Sequence, residues 1–397
     1  MKKKPRSRMS SVVCQGITSA VGQRWVRTIL SISVLVFSAG SAMALEDVLE
    51  TSAMATSLAT KSLLLDATRV GDTYVAVGER GHVIYSSDDG MTWVQGAVPV
   101  STTLTSVYFI DGTQGWAVGH GGVVLATRDA GKTWVKQFDG HLANQMVIKA
   151  AEQRIKNLES ALDAATDEDK ADIEYELEEA QFNLEDAIVD AETGAGKPLL
   201  DVWFRDANHG FVVGAYGFFF KTSDGGKNWE NWAHQIENRE RFHLNAIGKI
   251  TGDVLFLVGE AGIAYVSMDL GETWKTLDVP YDGSFFGLTG TGNVNEVLVF
   301  GLRGNVFRSV DLGRSWQSID AGTDASLTGG SPGKGNNVTL VGVRGVVAVS
   351  NNSGESFIAL ERKDRLALSA VLHRTDQSLL LFGEGGVVVA DSQGKDL

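Results

Sequence analysis

The 397-residue sequence contains one cysteine, Cys14, and it stands upstream of the first long apolar run. Everything after it therefore lacks disulfides, thiolate metal sites and cysteine nucleophiles. Proline is scarce: five residues, of which Pro99, Pro198, Pro280 and Pro332 lie beyond the N-terminal region. Positive charge is short as well. Lys+Arg number 35 against 49 Asp+Glu, a formal net charge of −14, which speaks against nucleic acid as a partner. No histidine cluster has metal-ligand spacing, and neither a G-x-S-x-G elbow nor a P-loop occurs. No metal and no cofactor is expected. Past residue 44 no apolar run reaches the roughly 20 residues of a membrane-spanning helix.

The first 44 residues read as a signal peptide. They carry Lys2, Lys3, Lys4, Arg6, Arg8, Arg24 and Arg27, and no acid. An apolar stretch follows from residue 29 and closes on Ala42-Met43-Ala44, an A-x-A cleavage pattern. Cleavage is expected after Ala44, which makes the protein periplasmic or secreted. An uncleaved anchor helix is the alternative, because the basic region is long. Cys14 lies before the apolar core and so cannot be the lipidated cysteine that follows a lipoprotein cleavage site. Loss of the seven leader cations would take the formal charge from −14 to −21.

Residues 45–397 are organised by repetition. Ser/Thr-x-Asp-x-Gly-x-Thr/Ser-Trp, the Asp box, recurs as SSDDGMTW, TRDAGKTW, TSDGGKNW, SMDLGETW and SVDLGRSW. A decayed copy, SNNSGESF, ends at Phe357. A G-x-x-G turn precedes each copy, starting at Gly78, Gly119, Gly214, Gly259, Gly301 and Gly342, and a seventh starts at Gly383. The spacing is 41 to 45 residues except for one interval of 95. Four strand-like runs fall in each period. In the first unit they are residues 62–68, 73–77, 82–86 and 92–96, rich in β-branched residues. A period near 42 with four short strands predicts an all-β, seven-bladed β-propeller. The seventh unit lacks a fourth strand, so residues 45–59 are expected to pair with it and close the ring.

The long interval holds an insertion, residues 141–196. Ile148, Ala151, Ile155, Leu158, Leu162 and Ala165 alternate by three and four. Ile173, Leu177, Ala180, Leu184, Ala187 and Ala191 do the same. Two heptad stripes joined by a short turn predict an antiparallel helical hairpin, a coiled coil, with Thr166 capping the second helix. The insertion holds fifteen acids and four bases, a net −11. It reads either as a rigid spacer or as a partner-binding arm. The same stripes could join two chains, so a homodimer through the hairpin is an alternative.

The Asp boxes are widespread in sialidases, yet the residue chemistry here points to folding. Asp88, Asp129, Asp224, Asp269 and Asp311 are suited to accept N–H bonds within their own turns. Trp93, Trp134, Trp229, Trp274 and Trp316 are suited to burial between neighbouring units. A residue repeated in every blade serves something every blade needs. A sialidase would also show Phe/Tyr-Arg-Ile-Pro near its start, and that motif is missing. No catalytic residue is assigned. A glycosidase built on two bare carboxylates is the competing class.

These stretches, GERGHVIYSSDDGMTW, GHGGVVLATRDAGKTW and GLRGNVFRSVDLGRSW among them, resemble the photosystem II stability/assembly factor family of Asp-box propellers. The resemblance runs from about residue 62 to 392, leaving out the hairpin. It implies a non-enzymatic protein outside the cytoplasm or in the thylakoid lumen, holding membrane-protein intermediates during assembly. It does not carry over the photosystem itself, and the acidic hairpin departs from the core pattern.

In a propeller the G-x-x-G turns and the connections between blades share one face. The third turn position reads Arg80, Gly121, Tyr216, Ala261, Arg303, Arg344 and Gly385. Connections add Arg362, Lys363 and Arg365 after blade six, and Arg239 and Arg241 after blade three. Such a basic cluster on an acidic chain fits a docking patch for an acidic segment of a membrane-protein complex or another envelope protein. The competing reading pairs these arginines with Glu79, Glu361 and Asp364. An anionic sugar or lipid headgroup would suit them too. A second function class is a carbohydrate-active propeller with a glycan in the central funnel.

Overall fold

The computed structural model describes residues 47–397, so the leader and its cleavage site lie outside the described residues. Seven antiparallel sheets follow one another along the chain, six of four strands and one of three. Blade one is built from Leu64–Val70, Thr73–Gly78, Val83–Ser86 and Val94–Gln95. Each later blade repeats that plan, and the last has Leu368–His373, Leu379–Gly383 and Gly386–Ala390. Each blade's inner strand packs on the inner strand of the next, and the inner strand of blade seven packs on that of blade one. The chain is a seven-bladed β-propeller. The second strands, such as VLFLVG over Val254–Gly259, are buried along their length apart from Thr73 in blade one, as sheets covered on both faces require.

Why the blades hold in a ring is visible on the inner strands. Every one carries a bulge near its start, for example between Leu64 and Asp66 and between Leu104 and Ser106. A bulge re-aims side chains. Here it turns them toward the next blade. Asp66 accepts from Val107 N at 2.9 Å, and Asp201 accepts from Ile247 N at 2.8 Å. Even-numbered blades donate instead. Thr105 Oγ1 donates to Leu199 O at 2.8 Å, Asn245 Nδ2 to Phe285 O at 2.7 Å and Thr328 Oγ1 to Leu368 O at 2.6 Å. These staples satisfy backbone groups that a bulge leaves without a ladder partner.

Closure differs from the sequence expectation. The chain after residue 46 does not add a strand to blade seven. Ala53 N donates to Val98 O, Ser101 N donates to Val48 O, and Leu49 is buried among Val75, Val77 and Val100. The segment thus fills the groove between blades one and two. Blade seven is finished from both ends instead. Ala390 forms a single bridge with Asp396 of the returning C-terminal tail. At its other end the turn Ala59–Lys61 lies so close to Gly386 that a Cβ there would sit 2.0 Å from Thr60 O. Trp93 of blade one packs edge-on against Phe382 of blade seven at 5.9 Å.

The insertion forms two helices, α1 (Gly140–Ala164) and α2 (Lys170–Thr193), packed against each other. Asp139 caps α1, accepting from His141 N and Leu142 N. Thr166 does not cap α2 with its side chain. Its hydroxyl donates to the Asp169 carboxylate at 2.8 Å, and the helix starts one residue later. Among the described residues no helix is long and apolar enough to cross a membrane.

Candidate partner-binding face and central channel

The G-x-x-G turns have a common build. The first glycine meets the neighbouring strand: a Cβ on Gly78 would lie 2.0 Å from Leu63 O. In blades one to six the third position sits in the left-handed region whatever its residue, with φ 56° at Arg80, 57° at Arg303 and 62° at Arg344. Long non-glycine side chains rarely take that conformation without a reason. Each turn lies against the connection leaving its own blade. Cβ positions built on Gly217, Gly304 and Gly345 would approach Arg241, Thr323 and Arg362. Turns and connections therefore form one face.

Blade two shows why its turn has glycine where others have arginine. A Cβ on Gly121 would meet Leu49, and one on Gly122 would meet Gly140 at the start of α1 at 2.7 Å. The hairpin stands on this turn. Its base is clamped from blade three as well. Lys197 pairs with Asp190 and lies 5.2 Å from the Tyr216 ring centroid, and Arg241 Nη2 meets Asp186 Oδ2 at 2.8 Å.

The eight cations divide sharply. Arg362 corrects the sequence reading: it is buried, held by Asp364 at 3.0 Å and by Asp396 at 2.6 Å, and so offers nothing to a partner. Arg344 is held by Asp324 and by Glu361 at 3.0 Å. Arg365 lies 3.4 Å from Glu361, and Arg241 belongs to the hairpin clamp. Exposed Arg80, Arg239, Arg303 and Lys363 make no ion pair among the described residues. Glu79, an expected partner for Arg80, instead accepts from Leu63 N.

The Asp boxes lie at the other end of the third strands. In the first, Ser86 Oγ donates to Asp88 Oδ1 at 2.7 Å and accepts from Gly90 N at 3.0 Å. Asp88 also accepts from Thr92 N at 2.9 Å and Thr92 Oγ1 at 2.6 Å. The Thr92 hydroxyl and amide together hold its carboxyl down at about 2. The same network surrounds Asp129, Asp224, Asp269 and Asp311. Trp134 and Trp229 are buried, and Trp93, Trp274 and Trp316 are partly so. Trp93, Trp134 and Trp274 donate to their box glycine carbonyls.

The inner strands enclose a channel with a cavity of about 250 Å³. Its charged residues are Asp66 and Asp201, which sequence reasoning missed. Ser106 Oγ lies 3.0 Å from Asp66 Oδ2 and 2.7 Å from Asp201 Oδ1. One hydroxyl proton cannot serve two carboxylates, so the trio favours a shared extra proton. Burial pushes Asp66 up to about 7 and Asp201 up to about 6, and for Asp66 the neighbouring Asp201 charge adds to the effect. Among the described residues no group of three or more His, Cys, Asp or Glu is placed to hold a metal ion.

The family model described as photosynthesis system II assembly factor YCF48 matches residues 46–165 and 183–396. The chain belongs to that family. The gap in the match covers the hairpin turn and the first half of α2. A curated relative, the photosystem II assembly lipoprotein Ycf48 of Synechococcus sp. (strain CC9902), is 32% identical over 112 residues, 28% of this chain and 33% of the relative. The chain thus spans about a third of that relative's length. Two solved structures share the fold. One is described as YCF48 bound to D1 peptide, with TM-score 0.57, 15% identity, and coverage of 83% of this chain and 93% of that one. The other is YCF48 from Cyanidioschyzon merolae, with TM-score 0.57, 14% identity, and coverage of 86% and 98%.

Proposed function

We propose that this YCF48-family propeller is a non-enzymatic, exported scaffold that assists assembly or stability of a membrane-protein complex, as the names of its relatives state for photosystem II. Family membership and the G-x-x-G face support that reading. The observation that carries it is the set of unpaired, exposed cations Arg80, Arg303, Arg239 and Lys363 on that face of an acidic chain. Two of them are arginines held at positive φ. They suit an acidic segment of the client, since arginine binds carboxylates in a bidentate fork. The five Asp-box aspartates and their tryptophans serve the blades rather than the client. The leader read over residues 1–44 would deliver the chain to the periplasm or beyond.

A second reading places a glycan in the channel, drawing on Asp66 and Asp201. All four of their carboxylate oxygens already accept backbone N–H bonds, from Ala67, Val107, Val202 and Ile247. The pair is occupied with holding strands, so the scaffold reading is preferred. Crosslinking of the tagged protein in intact cells, followed by mass spectrometry, tests it. One membrane complex recovered reproducibly is the expected result. Recovery of no protein partner, together with binding on a glycan array, would overturn it.

A further inference from the structure

α2 carries a second apolar stripe that α1 does not cover. Tyr175, Phe182 and Val189 are 66%, 61% and 58% exposed. Each follows a residue of the packed stripe, Ile173, Ala180 or Ala187, by two positions, about 200° round the helix. The stripe therefore faces away from α1. Its three members recur every seven residues, so they stand in line over about 21 Å. Large exposed aromatics in such an array mark an interaction surface, and aromatics are the usual anchors of interfaces.

The stripe has a charged border. Glu178, Glu185 and Glu192 follow its members by three positions and share their face. The α2 acids that do pair are Glu176 with Arg154, Asp186 with Arg241 and Asp190 with Lys197. Glu178, Glu185 and Glu192 pair with no cation among the described residues. The clamp at Arg241 and Lys197 fixes the arm on the ring, so the stripe is presented in a set direction.

We propose that this face of α2 docks a basic amphipathic helix of a partner protein. Its apolar residues would cover Tyr175, Phe182 and Val189, and its Lys and Arg would lie beside Glu178, Glu185 and Glu192. Charge decides the occupant. A second copy would bring one net −11 hairpin against another, and an anionic membrane surface would be repelled by the same acids. A basic helix laid along an apolar seam satisfies both parts of the surface. The inference does not depend on the arginine face, and the family match skips residues 166–182.

The test measures fluorescence anisotropy of a synthetic 21-residue helix, with leucine at its seam positions and lysine beside them, titrated with the whole protein. A Tyr175→Gln/Phe182→Gln/Val189→Gln variant is expected to bind at least tenfold more weakly. Glutamine keeps helix propensity, and helicity by circular dichroism checks the arm. Phe182→Gln alone serves if the triple variant misfolds. A Glu178→Gln/Glu185→Gln/Glu192→Gln variant should lose most of the salt dependence. Equal binding by the stripe variant would overturn the proposal. So would equal binding of a control helix with serine for leucine, which would show charge alone at work. A stripe-dependent dimer in sedimentation would assign the face to a second copy. Stripe-dependent flotation with phosphatidylglycerol vesicles would assign it to lipid.

Discussion

Arg303 occupies a backbone conformation that glycine would take at lower cost. Its φ is 57°, and blade two uses Gly121 at the equivalent place with φ 69°. A left-handed non-glycine residue costs about 1–2 kcal/mol, and glycine's extra chain entropy returns part of that. Arg303→Gly should therefore stabilise the ring by roughly 0.5–1 kcal/mol in urea unfolding while weakening client capture. A loss of stability would show that the arginine serves the fold. Asn352 teaches a related lesson about the boxes. It accepts from Ser350 Oγ and Ser356 N as the aspartates do, and its amide donates to Ser356 Oγ, reversing one bond. The decayed sequence keeps the turn because an amide oxygen replaces a carboxylate oxygen there.

The residues also set opposite pH limits. Asp88 is held below the usual aspartate range, so its contribution is full above about 4 and lost as pH falls toward 2. Asp66 and Asp201 are pushed up, so the folded state holds protons that the unfolded chain releases near 3.8. Their stabilisation is present below that value and lost as pH rises through about 6 and 7. The melting temperature should fall between pH 5 and 8, and Asp201→Asn should flatten that slope whatever its effect on the absolute value. An unchanged slope would remove Asp201 from the titrating pair.

At the scale of elements, periodicity was the legible part. Four runs per unit and a fixed turn gave the blades, with strand limits in blade one that differ from those observed by up to two residues. The two heptad stripes gave the hairpin, because α1 and α2 bury them against each other. What was illegible depends on contacts distant in sequence. The bulges that aim Asp66, Ser106 and Asp201 across blades leave no motif, and the pairing of Arg362 with Asp396 is invisible until the tail folds back. The stripe of Tyr175, Phe182 and Val189 was readable as a second heptad series but was hidden behind the stronger one. Because the arm's base carries its contacts with the ring, replacing residues 151–183 with a short turn should shift the melting temperature by less than about 3 °C. A larger drop would mean that the arm supports the blades.

For the whole molecule, the period near 42 matches the seven blades observed, and ring closure departs from the sequence pattern. A missing fourth strand suggested pairing by residues 45–59, whereas the tail and the turn Ala59–Lys61 protect that edge and the segment around Leu49 packs elsewhere. Leu49→Ala should accordingly cost about 2–4 kcal/mol in urea unfolding, by opening the groove between blades one and two. A neutral result would show the segment to be dispensable. In the function proposed above, one face of the ring meets a client. The most direct measurement compares the wild-type protein with Arg80→Glu/Arg303→Glu by in-cell crosslinking and quantitative mass spectrometry, with melting temperatures measured in parallel. The account predicts an intact ring that recovers the client at least tenfold less. Equal recovery by a folded double variant would contradict it.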